Sequence, residues 1–141
     1  RPHAAQYEGR VLMVGSSMGA TACLQHADLA TRALAFAPRV DLDLSHGAFV
    51  PPPARAAGLA AIHRSLAALP ARTVAVHCGG GNYVDVAQVA VVRDAPSVAV
   101  VEHETYHHNV PQFLEGEGEL VPLLRSEVAR LLLHGAERHD R

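Results

Sequence analysis

The sequence predicts an α/β fold, a parallel sheet of about four strands flanked by helices. Three observations carry the prediction. Short apolar runs rich in Val, Leu or Ala recur near residues 10–14, 32–37, 73–77 and 97–101. Segments whose composition or apolar spacing suits a helix lie between these runs and after the last of them, so the chain alternates β-α-β-α-β-α-β-α. The runs are also apolar without interruption. Strands of that kind are covered on both faces, which a parallel sheet with helices on each side provides.

The elements follow in order. Arg10–Val14 predicts a short buried strand, and Gly19–Ala27 an Ala-rich helix. Arg32–Ala37 predicts the second strand, stopped by Pro38, which has no backbone N–H to give to a ladder. A loop containing Pro and Asp spans about Arg39 to Pro53; it exceeds the usual connection, and long loops on a rigid scaffold often shape binding sites. Leu59, Ile62, Leu66 and Leu69 recur at helical spacing up to Pro70. Thr73–His77 predicts a third strand, bounded by Gly79-Gly80-Gly81, and Tyr83–Val92 a helix. Ser97–Val101 predicts the fourth strand. Leu120, Leu123, Leu124, Val128, Leu131 and Leu132 line one face of a C-terminal helix that ends near Gly135.

With 141 residues, 49% of them apolar, residues 1–141 suffice for one domain with its own core. The balance of 12 Lys and Arg against 14 Asp and Glu argues against a nucleic-acid partner, which would select a basic surface. No apolar run approaches the roughly 18 residues of a membrane span, and no hydrophobic stretch follows Arg1–Gln6 to make a signal peptide. Cys23 and Cys78 form neither a disulfide framework nor a metal-binding spacing, which suits a reducing, cytoplasmic compartment. The first strand leads at once into the chemically most suggestive turn, and no initiator Met precedes it. The chain therefore reads as part of a longer one.

That turn is Gly15-Ser16-Ser17-Met18-Gly19, a G-x-S-x-G sequence between a strand and a helix. The order is that of a nucleophile elbow. A serine hydroxyl is a weak nucleophile, so it must stand unobstructed beside a base and near oxyanion donors. A sharp strand-to-helix turn presents Ser17 in this way, and both flanking glycines are expected to be needed because a strained turn leaves no room for a Cβ. In a parallel sheet, functional groups gather in the loops at the carboxyl ends of the strands. The second such loop holds Asp41 and Asp43. The third holds Cys78, Asn82 and Asp85, and the fourth holds Glu102, His103, Glu104, His107 and His108.

From the elbow to the C-terminal helix, about residues 10–135, the chain resembles the second half of an α/β-hydrolase. The resemblance implies a triad in the order Ser, Asp, His, met here by Ser17, Asp85 and His108. Gly81-Asn82-Tyr83-Val84-Asp85 is similar to the family's acid turn, one residue longer, and His107-His108-Asn109-Val110 occupies the place of its histidine loop. The family's roles would make Ser17 the nucleophile, His108 the base and Asp85 the residue that orients it. The Met18 N–H would be one oxyanion donor, the substrate a small acyl compound, and no cofactor would be needed. The resemblance leaves Asp41 as a rival acid and His107 as a rival base. It also implies upstream strands and a second oxyanion N–H, to be supplied by an upstream segment or by a partner completing the sheet.

Other readings of the same residues stand beside this one. Ser17 could serve only as a turn and N-cap residue, and Asp85 could cap the helix that begins near it. Cys78 reads as a small core residue. The whole domain could bind without catalysing. His103-Glu104-Thr105-Tyr106-His107 also matches the zinc-hydrolase signature H-E-x-x-H, with Glu127 as a possible third ligand. That motif requires a helix, whereas Val98–Val101 predicts a strand, and Pro111 would interrupt a helix four residues after His107.

Overall fold

The structure, a computed structural model, describes residues 10–45 and 49–136. The elements are β1 (Leu12–Ser16), α1 (Met18–Gln25), β2 (Arg32–Phe36), α2 (Pro52–Ala67), β3 (Val74–Gly79), α3 (Tyr83–Ala90), β4 (Val98–His103), α4 (Val110–Gly116) and α5 (Leu120–Ala136), with a 3-10 turn at Ala27–Leu29. The run Arg1–Gln6, read above for the lack of a signal peptide, lies outside the described residues, as do positions 46–48 of the long loop. No helix among the described residues is long and apolar enough to cross a membrane.

The four strands form one parallel sheet in the order β1-β2-β3-β4, as the alternation predicts. Gly15 is level with Ala35, Ala35 with Val76, and Val76 with Val100. Each right-handed crossover steps the same way along the sheet, so all three connecting helices fall on one face. There Ala20 and Leu24 of α1, Ile62 and Leu66 of α2, and Val89 of α3 pack on Ala33, Ala35, Val74 and Val76. The opposite face is covered by α4 and α5, whose Val110, Leu114, Leu120, Leu123 and Leu124 meet Leu34, Phe36 and Ala75. Alternate residues of β2 thus enter two different cores, which is why positions 33–36 are apolar throughout.

Burial on both faces holds for β2 and β3 but not for the outer strands. β1, expected to be buried, is half-exposed, with Val14 48% exposed. The cause is its place at the sheet edge, where among the described residues it pairs with β2 alone. β4, at the other edge, is likewise only partly covered.

The C-terminal helix also needs correction. Leu120, Leu123, Leu124 and Leu131 pack inward, whereas Val128 and Leu132 are exposed together with Val121. Positions 120, 123, 124, 127 and 131 make one helical stripe, and 121, 128 and 132 make a second, rotated by one residue. The sequence reading merged them. α4 was not anticipated. It starts because the Asn109 side chain accepts from the Gln112 N–H and because Pro111 sits in the first turn, where its missing N–H leaves no helical bond unmade. α2 likewise opens at Pro52, ahead of its apolar repeat, and so shortens the long loop.

Candidate active site

Between the end of β1 and the start of α1, Ser17 alone turns the chain, with φ 54° and ψ −118°. A residue with a Cβ avoids this region, and such strain persists only where its surroundings enforce it. The Ser17 N–H donates to Phe36 O at 2.8 Å, and the Thr21 N–H donates to Ser17 O at 3.1 Å. A Cβ on Gly15 would stand 2.4 Å from Gly19 O and 2.7 Å from Cys23 Sγ, so the strand can pass α1 only as glycine. Gly19 differs from expectation: a Cβ there would meet nothing within 4 Å. The crowding is one-sided because it arises where β1 runs under α1. The Ser17 side chain makes no capping bond to α1, so the N-cap role is not realised.

His108 lies in the loop between β4 and α4, and that loop is laced to the end of β3. Gly80 and Gly81 donate their N–H groups to His103 O and Thr105 O. A Cβ on Gly79 would come within 2.7 Å of Thr105 O and 2.9 Å of His107 O, so close approach of the two loops requires glycine there. His108 Nε2 is 2.9 Å from Ser17 Oγ, and Nδ1 is 2.9 and 3.0 Å from the two Asp85 carboxylate oxygens. An ionised carboxylate only accepts, so Nδ1 carries the hydrogen and Nε2 is left to accept from the serine hydroxyl.

Asp85 is fully buried in the first turn of α3. It does not cap that helix. The cap is Asn82, whose Oδ1 accepts from the Asp85 N–H at 3.2 Å and whose Nδ2 donates to Tyr106 O. Capping by Asn82 leaves the Asp85 carboxylate to His108. The two rivals stay outside this group. Asp41 Oδ1 accepts from the Asp43 N–H, and the Asp41 backbone is clamped by the buried Gln88, which both accepts from its N–H and donates to its carbonyl. His107 is exposed.

The H-E-x-x-H run does not lie on a helix. His103 ends β4, and Glu104 and His107 are in the following loop. His103 Nε2 is 2.9 Å from Nδ1 of His77 on β3, with the two rings stacked. Burial, reinforced by the neighbouring His103, pushes His77 down to about 4, and burial lowers His103 as well. Glu127, the possible third ligand, is buried against Arg32 Nε at 2.6 Å instead. Among the described residues, no three His, Cys, Asp or Glu side chains are grouped so as to hold a metal ion. Cys78 lies in the core, its thiol pushed up to about 11 by burial and then by Glu102 and Asp85.

One residue at the site escaped sequence reasoning. Arg39 is only 9% exposed, with Nη1 3.1 Å from Asp85 Oδ1 and Nη2 3.3 and 3.4 Å from the two ring nitrogens of His108. Its position just past the carboxyl end of β2 is the one signal the sequence offers, beside the carboxylates of the same loop. A comparison of the chain with protein-family profiles, with curated proteins and with solved structures finds no match.

Proposed function

We propose that the protein is a serine hydrolase of the α/β-hydrolase type, cleaving an ester, thioester or amide of a small acyl substrate through an acyl-enzyme. The observation that carries this reading is the continuous hydrogen-bonded line from Ser17 Oγ through His108 to Asp85. Its members come from three loops at the carboxyl ends of parallel strands, and the serine is held in a strained turn.

In this scheme Ser17 Oγ attacks the acyl carbonyl while its proton passes to His108 Nε2. Asp85 holds the ring in the required tautomer and balances the imidazolium. The negative oxygen of the tetrahedral intermediate is met by the Met18 N–H, the first of α1, which has no partner within the helix. The intermediate collapses by breaking the bond to the leaving group, which takes the proton from His108. Water, deprotonated by the same nitrogen, then releases the acid. These steps need no cofactor. The outer edge of β1, unpaired among the described residues, supports a further part of the reading, that an upstream segment or a partner pairs there and brings a second oxyanion donor. The free, buried thiols of Cys23 and Cys78 suit a reducing, cytoplasmic setting.

The test is covalent labelling. A fluorophosphonate probe attaches to Ser17 of the folded protein, and Ser17→Ala abolishes attachment. Folded protein that stays unlabelled, with or without a supplied partner, turns the reading toward a module that binds without catalysing.

A further inference from the structure

The chemistry above leaves Arg39 without a task, although its side chain is built into the site. Its backbone is fixed independently of that side chain. The Arg39 N–H donates to Thr21 Oγ1 at 3.0 Å, and Thr21 Oγ1 lies 3.1 Å from Arg39 O and 3.2 Å from Ser17 O. Thr21 stands one helical turn after Ser17, so a single hydroxyl joins the loop carrying Arg39 to the elbow. The guanidinium then forks. Nη1 meets the Asp85 carboxylate, and Nη2 is almost equally distant from both nitrogens of the His108 ring. In the ring plane such a position would collide with Cε1, and the in-plane directions of the two nitrogens are already taken by Asp85 and Ser17. Nη2 therefore lies over the ring face, the arrangement of a cation against a π system. Nε is buried with no hydrogen-bond partner among the described residues. A buried donor left unmade is costly, so the guanidinium is placed by Asp85 and the ring, not by its own full set of bonds.

The electrostatic consequence is specific. A fully buried carboxylate needs compensation, and a neutral imidazole supplies only one N–H. Arg39 carries a permanent charge and provides the rest. We propose that Arg39 is a positioning residue of the triad: its fork fixes the Asp85 carboxylate and the His108 ring relative to one another, so that Nε2 stays directed at Ser17 Oγ. The charged and titratable groups facing the His108 side chain are Asp85 from α3 and Arg39 from the loop after β2, with Ser17 from the elbow and the exposed His107 adjacent in the chain.

The proposal rests on the hydrolase reading and is tested beside it. The rate of fluorophosphonate attachment to Ser17 is measured against pH for the full chain, for Arg39→Gln and for Arg39→Lys, with circular dichroism to verify folding. Loosening the ring in Arg39→Gln slows attachment by about tenfold to a hundredfold across the pH range, the cost of a misplaced base. Arg39→Lys, which keeps a charge but not the fork, recovers only part of that rate. If Arg39→Gln does not fold, Arg39→Met, which keeps the apolar stem, is measured in its place. Labelling of the wild type together with an unslowed rate in the folded neutral variant overturns the role of Arg39 and leaves the hydrolase reading standing. A wild type that is folded and unlabelled overturns both.

Discussion

Gly15 and Gly19 look interchangeable in the G-x-S-x-G sequence, yet the structure separates them completely. A methyl group at 15 would overlap the backbone of Gly19, while one at 19 enters open space. Gly15→Ala should therefore displace β1 from α1 and lose Ser17 labelling. Gly19→Ala should label normally and gain about 1 kcal/mol of stability, because Gly19 is in a helix. Parallel labelling and thermal-unfolding measurements distinguish the two. At Asp85 the expectation is catalytic. Asp85→Asn should lower turnover of an activated ester by about a thousandfold or more, since an amide favours the wrong ring tautomer, and turnover near that of the wild type would remove Asp85 from the scheme. That Ser17, Asp85 and His108 could meet was legible because each follows a particular strand. Arg39 was not legible, since a lone arginine after a strand has no spacing that announces a partner 46 or 69 positions away.

Among the elements, the central pair β2 and β3 were legible from their unbroken apolar runs, and the edge strands were overestimated by the same rule. A run of Val and Leu does not report whether a neighbour exists on its outer side. α5 was misread for a related reason: two apolar stripes one residue apart look like one broad face until a sheet is laid against the helix. Its buried glutamate shows what the periodicity hides, because Glu127 sits in the packed stripe paired with Arg32 on β2 and with Arg130 one turn on. The pairing of β3 with β4 should also make stability depend on pH. His77 is driven from 6.5 to about 4 chiefly by burial, so below pH 6.5 the unfolded chain binds a proton that the folded one refuses. The stability is complete above pH 6.5 and is lost as pH falls toward 4, by about 3 kcal/mol for this group. Urea midpoints at pH 7 and pH 4.5 should differ accordingly. His77→Phe, if it folds, should flatten the difference, and an equally steep dependence in that variant would assign it elsewhere.

For the molecule as a whole, the alternation of strands and helices was enough to foresee a parallel sheet with helices on both faces, because chain connectivity and handedness leave few arrangements. The placement of the site at the carboxyl ends of the strands followed from the same topology. Its fine geometry did not, because it depends on how closely the loop after β3 can approach the loop after β4, and that is decided by Gly79 and Asn82 against Thr105 and Tyr106. Ser17 and His108 are separated by 91 positions, and His108 and Asp85 by 23. No fragment of the chain shorter than this span can hold the three together. Distant contacts form slowly, since the intervening loops must close before the contact rewards them. Competence for probe attachment should thus emerge late during refolding from denaturant, after helical signal has returned, which would make Ser17 reactivity a clock for completion of the sheet.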